Sequence, residues 1–469
     1  MDFKRLVLIL ASFGAAFGSS AYAQLTPDQQ KILDLEKKID ELDKRLAAAE
    51  ARLAPTTVAP TGPQRPTNAG SEAASTIPAR PPNNVGLVSA GTDGFTIRSA
   101  DGEDSLRIGV DLQTDVRTFT GTGSNALTDQ MLLRRVRPTF SGTLYKDIDY
   151  FVRTDFGQGS VVLYEAYAQL NYIPHFAIRI GKFKPPVDLE RLQSDDDTTF
   201  IERGLPTLLA PSRDIGFQLS GDIVSRRLGY QVGVFNGVPD NSLSDASPSS
   251  HHSYAARLFA TPFQSETPNF MSGLGFGMAT EGGSVDGVAL PAYKTIGQNT
   301  FFNFSSGVTS AGHRTALAPQ AFYYLGSFGL LAEDTVTEEE FQKTTVRKNV
   351  AFRAWNVELS YILTGEKKSY GSPIPKHPFS PLNNRWGAWE LAARTGDFKV
   401  DHGLFNYGFA SIATSPNFAR EWVAGVNWYL NRVFRVDLDY AHTNFVGGAV
   451  NADRAAERAI LARFQLNFI

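Results

Sequence analysis

Ten arginines between residues 107 and 463 share one geometric property. Arg107, Arg117, Arg135, Arg137, Arg153, Arg179, Arg257, Arg394, Arg435 and Arg463 each fall, at period two, opposite an alternating apolar set. A guanidinium stays charged at physiological pH, and its planar donors match carboxylate or phosphate oxygens. The chemistry such a face supports is therefore non-covalent recognition of anions. Asp111, Asp149, Asp155, Glu165, Glu358, Glu390, Asp437 and Asp439 occupy the same phase. Pairing across strands, which would stiffen a wall rather than bind a solute, is thus the competing use of these arginines.

Other chemistries find little support. None of the seven histidines lies in a recognisable catalytic motif, and His251-His252 sits in a Ser-rich predicted loop. The glycines of GTGSN and GGSVDG lack the strand-to-helix setting of a phosphate loop. Asp195-Asp196-Asp197, beside Arg191, reads as a solvated loop face, with a counterbalance to the arginines or a divalent-cation site as the alternatives. No enzyme, no cofactor and no metal site is expected. Cysteine is absent, which removes disulfides and thiolate ligands. The net charge of −3 argues against a nucleic-acid binder.

The elements that position the arginines are strands. In Glu457–Ile469, Ile460, Ala462, Phe464, Leu466 and Phe468 fall on one face and Leu461, Arg463, Gln465 and Asn467 on the other. Leu106–Asp115, Glu421–Leu430 and Val433–Tyr440 alternate in the same way. An apolar stripe backed by a mostly polar face suits lipid on one side and water on the other. A guanidinium facing mid-depth lipid would cost ~2 to 4 kcal/mol, so the arginines belong inside. The predicted fold is an all-β transmembrane barrel of about sixteen antiparallel strands, with a short N-terminal α-helical coiled coil. At that strand count side chains cannot fill the interior, and an aqueous channel results. The 33 Phe, 16 Tyr and 5 Trp suit the aromatic girdles of such a barrel.

Four regions follow along the chain. Residues 1–23 read as a signal peptide, with Lys4 and Arg5 before an apolar run and Ala21-Tyr22-Ala23 as the cleavage site. Residues 24–53 carry an a/d seam of Ile32, Leu35, Ile39, Leu42, Leu46, Ala49 and Leu53, expected to form a periplasmic coiled coil. Residues 54–84 form a Pro-rich linker. Residues 85–469 are the barrel. Within it, 184–213 lacks alternation and is expected to fold inward as a constriction loop. Asn236–Ser253, Glu281–Ala316 and Glu366–Arg385 read as extracellular loops, and Asn431-Arg432 as a tight periplasmic turn.

Adjacent Arg134 and Arg135 pose a difficulty. If Leu132, Val136 and Phe140 face lipid, a regular strand turns Arg135 inward and Arg134 outward. Only a bulge or an irregular end would bring both to one ligand. Otherwise Arg134 snorkels to the interface.

The barrel segment resembles the phosphate-selective porin O and P family. The stretches that carry the resemblance are LRIGVDLQTD (Leu106–Asp115), LLRRVRPTFSGTL (Leu132–Leu144), IGKFKPPVDLERLQS (Ile180–Ser194), FIERGLP (Phe200–Pro206), SRDIGFQLSG (Ser212–Gly221), VFNG (Val234–Gly237), RLFATPF (Arg257–Phe263), LTGE (Leu363–Glu366), GAWELAAR (Gly387–Arg394) and VNWYLN (Val426–Asn431). The resemblance implies an outer-membrane homotrimer of 16-stranded barrels with an arginine-lined constriction for small inorganic anions, phosphate or polyphosphate in some members. Carried over residue by residue, the family's paired arginines match Arg134 and Arg135. Its loop lysine aligns with Arg191, its loop serine with Ser194, and a further loop arginine with Arg203. The candidate pathway adds Arg107, Arg137, Arg153, Arg179, Arg394, Arg435 and Arg463. Two departures weaken strict phosphate selectivity: Asp111 stands where the family has a first-strand arginine, and Tyr164 where it has an acid. A weakly selective porin, or a tether joining the outer membrane to the cell wall through the coiled coil, are the alternatives.

Overall fold

The computed structural model describes residues 86–468, apart from 92–93, 121–126, 247–248 and 265–268. The expected signal peptide (1–23), coiled coil (24–53) and linker (54–84) lie outside the described residues. Among the described residues, 16 antiparallel strands close into a barrel. Closure joins the first strand (Ser105–Phe119) to the last (Glu457–Phe468), in register from Ala459 opposite Phe119 to Phe468 opposite Val110. Such closure removes the unpaired edges that lipid cannot satisfy. A hairpin of Leu87–Gly91 and Gly94–Arg98 pairs with the stretch of the first strand that the last leaves open.

The alternation read from sequence places side chains as expected on these two strands. Ile460 is 41% and Phe464 46% exposed, while Leu461 and Arg463 are fully covered. Asp111, Gln113, Asp115 and Arg117 all point inward and are buried.

Antiparallel order separates two ends. Short connections at 145–147, 174–175, 224–227, 326–327 and 430–433 share the turn end. Residues 184–213, 236–252, 290–308 and 401–415 share the loop end. Two expectations change here. The segment 363–387, which contains Glu366–Arg385, lies at the turn end beside Asn431-Arg432 and not with the long loops. Much of Glu281–Ala316 is strand, because the ninth and tenth barrel strands (Leu274–Ala289 and Thr309–Leu325) stay paired out to Ala289 opposite Thr309.

The interior is not uniformly wet. Tyr293, Phe301 and Phe302, on the loop between those two strands, pack on inward-facing Phe341, Phe352, Phe398 and Phe445. The Tyr293 and Phe398 rings approach to 5.0 Å between centroids. There the wall is apolar on both faces, which a strict two-sided pattern does not anticipate.

The constriction loop leaves the fifth strand (Phe176–Phe183) and returns at the sixth (Asp214–Ile223). Its only α-helical turn, Leu189–Leu192, is capped by the Asp188 carboxylate, which accepts from the Arg191 backbone N–H at 2.8 Å. Wall side chains hold its backbone. The Leu189 N–H donates to Glu333 at 2.8 Å, the Ile201 N–H to Asp439 at 2.8 Å, and Asn427 donates to the Thr199 carbonyl at 2.7 Å. Phe200 and Ile201 bury themselves against Ala392, Val423, Ala441 and Leu461. From the opposite end, Lys368 pairs with Glu390 at 2.7 Å and donates to Thr199, while the Ser372 N–H donates to Asp197 at 2.8 Å. Segment 363–387 thus meets the loop inside the barrel.

Candidate functional site

Arg134 and Arg135 both reach the lumen. On the second strand (Gln130–Leu144), Arg135 stands opposite Gln113 and Leu133 opposite Thr114, so Arg134 is an extra, bulged residue. The bulge switches the phase of the strand. Met131 (80% exposed) and Leu133 (53%) face lipid below it. Leu132, expected to face lipid, is instead opposite inward-facing Asp115. Arg134 does not snorkel: its Nε donates to Glu202 Oε1 at 2.6 Å and its terminal nitrogen to Oε2 at 3.1 Å, a two-pronged pair. Arg135 donates to Gln113 at 2.5 Å and lies 3.8 Å from Glu202.

Two loop carboxylates organise the site, one of them Asp195, which is buried among arginines and not on the solvated face expected of Asp195-Asp196-Asp197. Around Glu202 stand Arg134, Arg135, Arg117 at 3.2 Å and Arg463 at 3.4 Å. Around Asp195 stand Arg137, Arg203, Arg213 at 3.6 Å and the Tyr164 hydroxyl, which donates at 3.1 Å. Asp115, Asp155 and Glu165 pair with the outer sides of Arg463, Arg137 and Arg213. Seven arginines therefore face five carboxylates, leaving two positive charges in surplus. Burial alone would raise both loop carboxyls. The guanidiniums, led by Arg203 at Asp195 and by Arg134 at Glu202, overcome it and hold both well below the usual carboxylate range.

Tyr164 is itself bulged, since Arg153 stands opposite Glu165 and Thr154 opposite Leu163. Its ring lies under Arg137 at 3.7 Å and under Arg213 at 4.0 Å. Where the resemblance led us to expect an acid, an aromatic face and the nearby Asp195 stand instead.

Arg191 adds a cation without an acid. Its guanidinium donates to the Thr207 carbonyl and to Asn241 at 2.6 Å, and forms no ion pair among the described residues. Burial and the neighbouring Arg203 pull it down to about 10, still charged at neutral pH. Arg134, Arg135, Arg137, Arg191 and Arg203 share one cavity of about 660 Å³.

The remaining sequence-derived candidates lie elsewhere. Ser194 does not line that cavity; its hydroxyl donates to Asp196. Arg394, Arg435 and Arg463 face inward but are covered by the loop. Arg394 pairs with Glu190 and Glu421, Arg435 with Asp437, and both also donate to loop carbonyls. They pin the loop and do not front the open path. Arg153 donates to Thr139, and Arg179 lines a separate cavity. Arg107 keeps the inward phase near the turn end, half-buried.

Glu202 and Arg213 were not singled out from sequence, though both sit in stretches that carry the family resemblance. Their signal was a charge in a loop without alternation, to which parity does not apply.

Comparison with known proteins bears on the family and on the fold. The profile of the phosphate-selective porin O and P family matches residues 106–468. Porin O of Pseudomonas aeruginosa is 22% identical over 378 residues, which cover 74% of this chain and 84% of that protein. The outer membrane channel DcaP of Acinetobacter baumannii superposes with a TM-score of 0.53 at 9% identity, covering 78% of this chain and 97% of that one. An anion-selective porin from Comamonas acidovorans superposes at 0.51, also at 9% identity, covering 78% and 100%. At such identities the two structures speak to the fold alone.

Proposed function

The chain belongs to the phosphate-selective porin O and P family, and from that premise we propose that its channel prefers small anions, phosphate or polyphosphate among them. It is an outer-membrane porin and not an enzyme. The observation that carries the anion preference is the surplus of arginine in the ion pairs around Glu202 and Asp195, with Arg191, which forms no ion pair among the described residues, on the same cavity.

An anion entering from the loop end trades part of its hydration shell for guanidinium N–H groups. The two loop carboxylates keep this exchange shallow. They already occupy much of the donor capacity, so the solute competes for the remainder and leaves again. Throughput asks for millimolar affinity, about −4 kcal/mol. Asp111, Asp155 and Glu165 favour the second reading, a weakly selective pore, because each sets a fixed negative charge beside the cationic path. A homotrimer with the 24–53 seam in the periplasm completes the proposal.

Titrating single-channel KCl current with inorganic phosphate tests it. Block at millimolar phosphate is expected, and current indifferent to phosphate would remove that ion from the solutes.

A further inference from the structure

A second cavity of about 440 Å³ lies on the turn-end side of the constriction loop, and its arginines are held differently. Arg179 donates through Nε (2.9 Å) and a terminal nitrogen (2.6 Å) to Gln169. Arg257 donates to Gln320 at 2.9 Å and to Gln231 at 3.4 Å. Neither forms an ion pair among the described residues, whereas the arginines at Glu202 and Asp195 all do. Amide oxygens orient a guanidinium without cancelling its charge.

The guanidinium carbon of each also sits over an aromatic ring. Arg179 is 4.4 Å from the Tyr167 centroid and Arg257 4.4 Å from that of Phe259. Stacking covers their faces and leaves the N–H edges for a ligand. Phe322, 5.1 Å from Phe259, and Tyr370, 6.0 Å from Phe322, extend the apolar surface beside those edges. The nearest cavity carboxylate, Glu165, is engaged by Arg213 at 2.7 Å. A bare inorganic anion has no use for those rings.

We propose that this cavity is a binding subsite for small aromatic carboxylates, whose carboxylate meets Arg257 while the ring lies against Phe322 and Tyr370, with Arg179 a second cation on the same cavity. The subsite rests on the anion-channel reading and adds organic anions carrying a planar apolar body to its solutes.

The test is block of single-channel KCl current by benzoate, with acetate and inorganic phosphate as comparisons. Benzoate should half-block at about tenfold lower concentration than acetate, because only benzoate uses the rings. Arg257→Gln should raise the benzoate half-block concentration about tenfold and leave phosphate block within roughly twofold. If that variant does not assemble, Arg257→Lys keeps the charge, loses the planar fork and should weaken benzoate in the same sense. Equal block by benzoate and acetate, or conducting variants with unchanged benzoate block, overturns the subsite while a retained anion-selective reversal potential leaves the channel reading intact. A reversal potential without anion preference would overturn both.

Discussion

At the scale of single residues, charge compensation decides what each arginine can do. Arg135 and Arg191 front the 660 Å³ cavity, one with a distant carboxylate partner and the other with none. Arg135→Glu and Arg191→Glu should each lower anion preference in KCl reversal potentials, and an unchanged potential would remove that residue from the path. Glu202→Gln acts in the opposite sense. It releases four guanidiniums, so phosphate should bind about tenfold tighter and its block should last longer; unaltered block kinetics would show that Glu202 does not temper the site. Asp240, on the loop at 236–252 and lining the same cavity, is pushed up to about 6 by burial despite its pairing with Arg314. It is ionised above that value and neutral below. Lowering the pH from about 7.5 to about 5 therefore removes a negative charge from the path and should raise anion preference. Asp240→Asn should shrink that pH response, and an undiminished response would exclude Asp240 as its source. The phase of each arginine was legible in sequence, since lipid forbids the alternative. Its counter-charge was legible only in part: Asp195 stood out as one possible counterbalance, but Glu202 did not, because both approach from a loop that parity does not govern.

At the scale of elements, the loop at 184–213 is the part whose role the sequence announced most clearly, by losing alternation in a chain that otherwise keeps it. How it is fixed emerged only in three dimensions. Phe200 and Ile201 act as an apolar plug into Ala392, Val423, Ala441 and Leu461, while Glu333, Asp439 and Asn427 collect its backbone groups. Phe200→Ala opens a cavity in that plug and should destabilise the loop's seating by about 3 to 5 kcal/mol. The expected readout is noisier single-channel current with larger open events, and current as quiet as that of the wild type would contradict the anchor. The bulge at Arg134 shows the same mixture. Two adjacent arginines demanded an irregularity if both were to serve one ligand, and the register slip between Gln113 and Thr114 supplies it. Sequence could not show that Leu132 would turn inward as a consequence. Nor could it show that 363–387 reaches the loop from the turn end, because a polar segment of that length carries no label for which side it joins.

At the scale of the whole molecule, the barrel follows from one pattern: apolar residues outward at every second position, closed by pairing the last strand with the first. Where that pattern is broken inside, as around Tyr293, Phe398 and Phe445, a loop has filled part of the lumen and given the wall a second apolar face. The cavity beside the loop is lined by more guanidiniums than carboxylates, and the proposal is that this surplus sets ion selectivity. The most direct measurement is the zero-current potential of channels reconstituted in a planar bilayer under a KCl gradient. A potential with the sign of chloride permeation is the predicted result, and one with the sign of potassium permeation would contradict it.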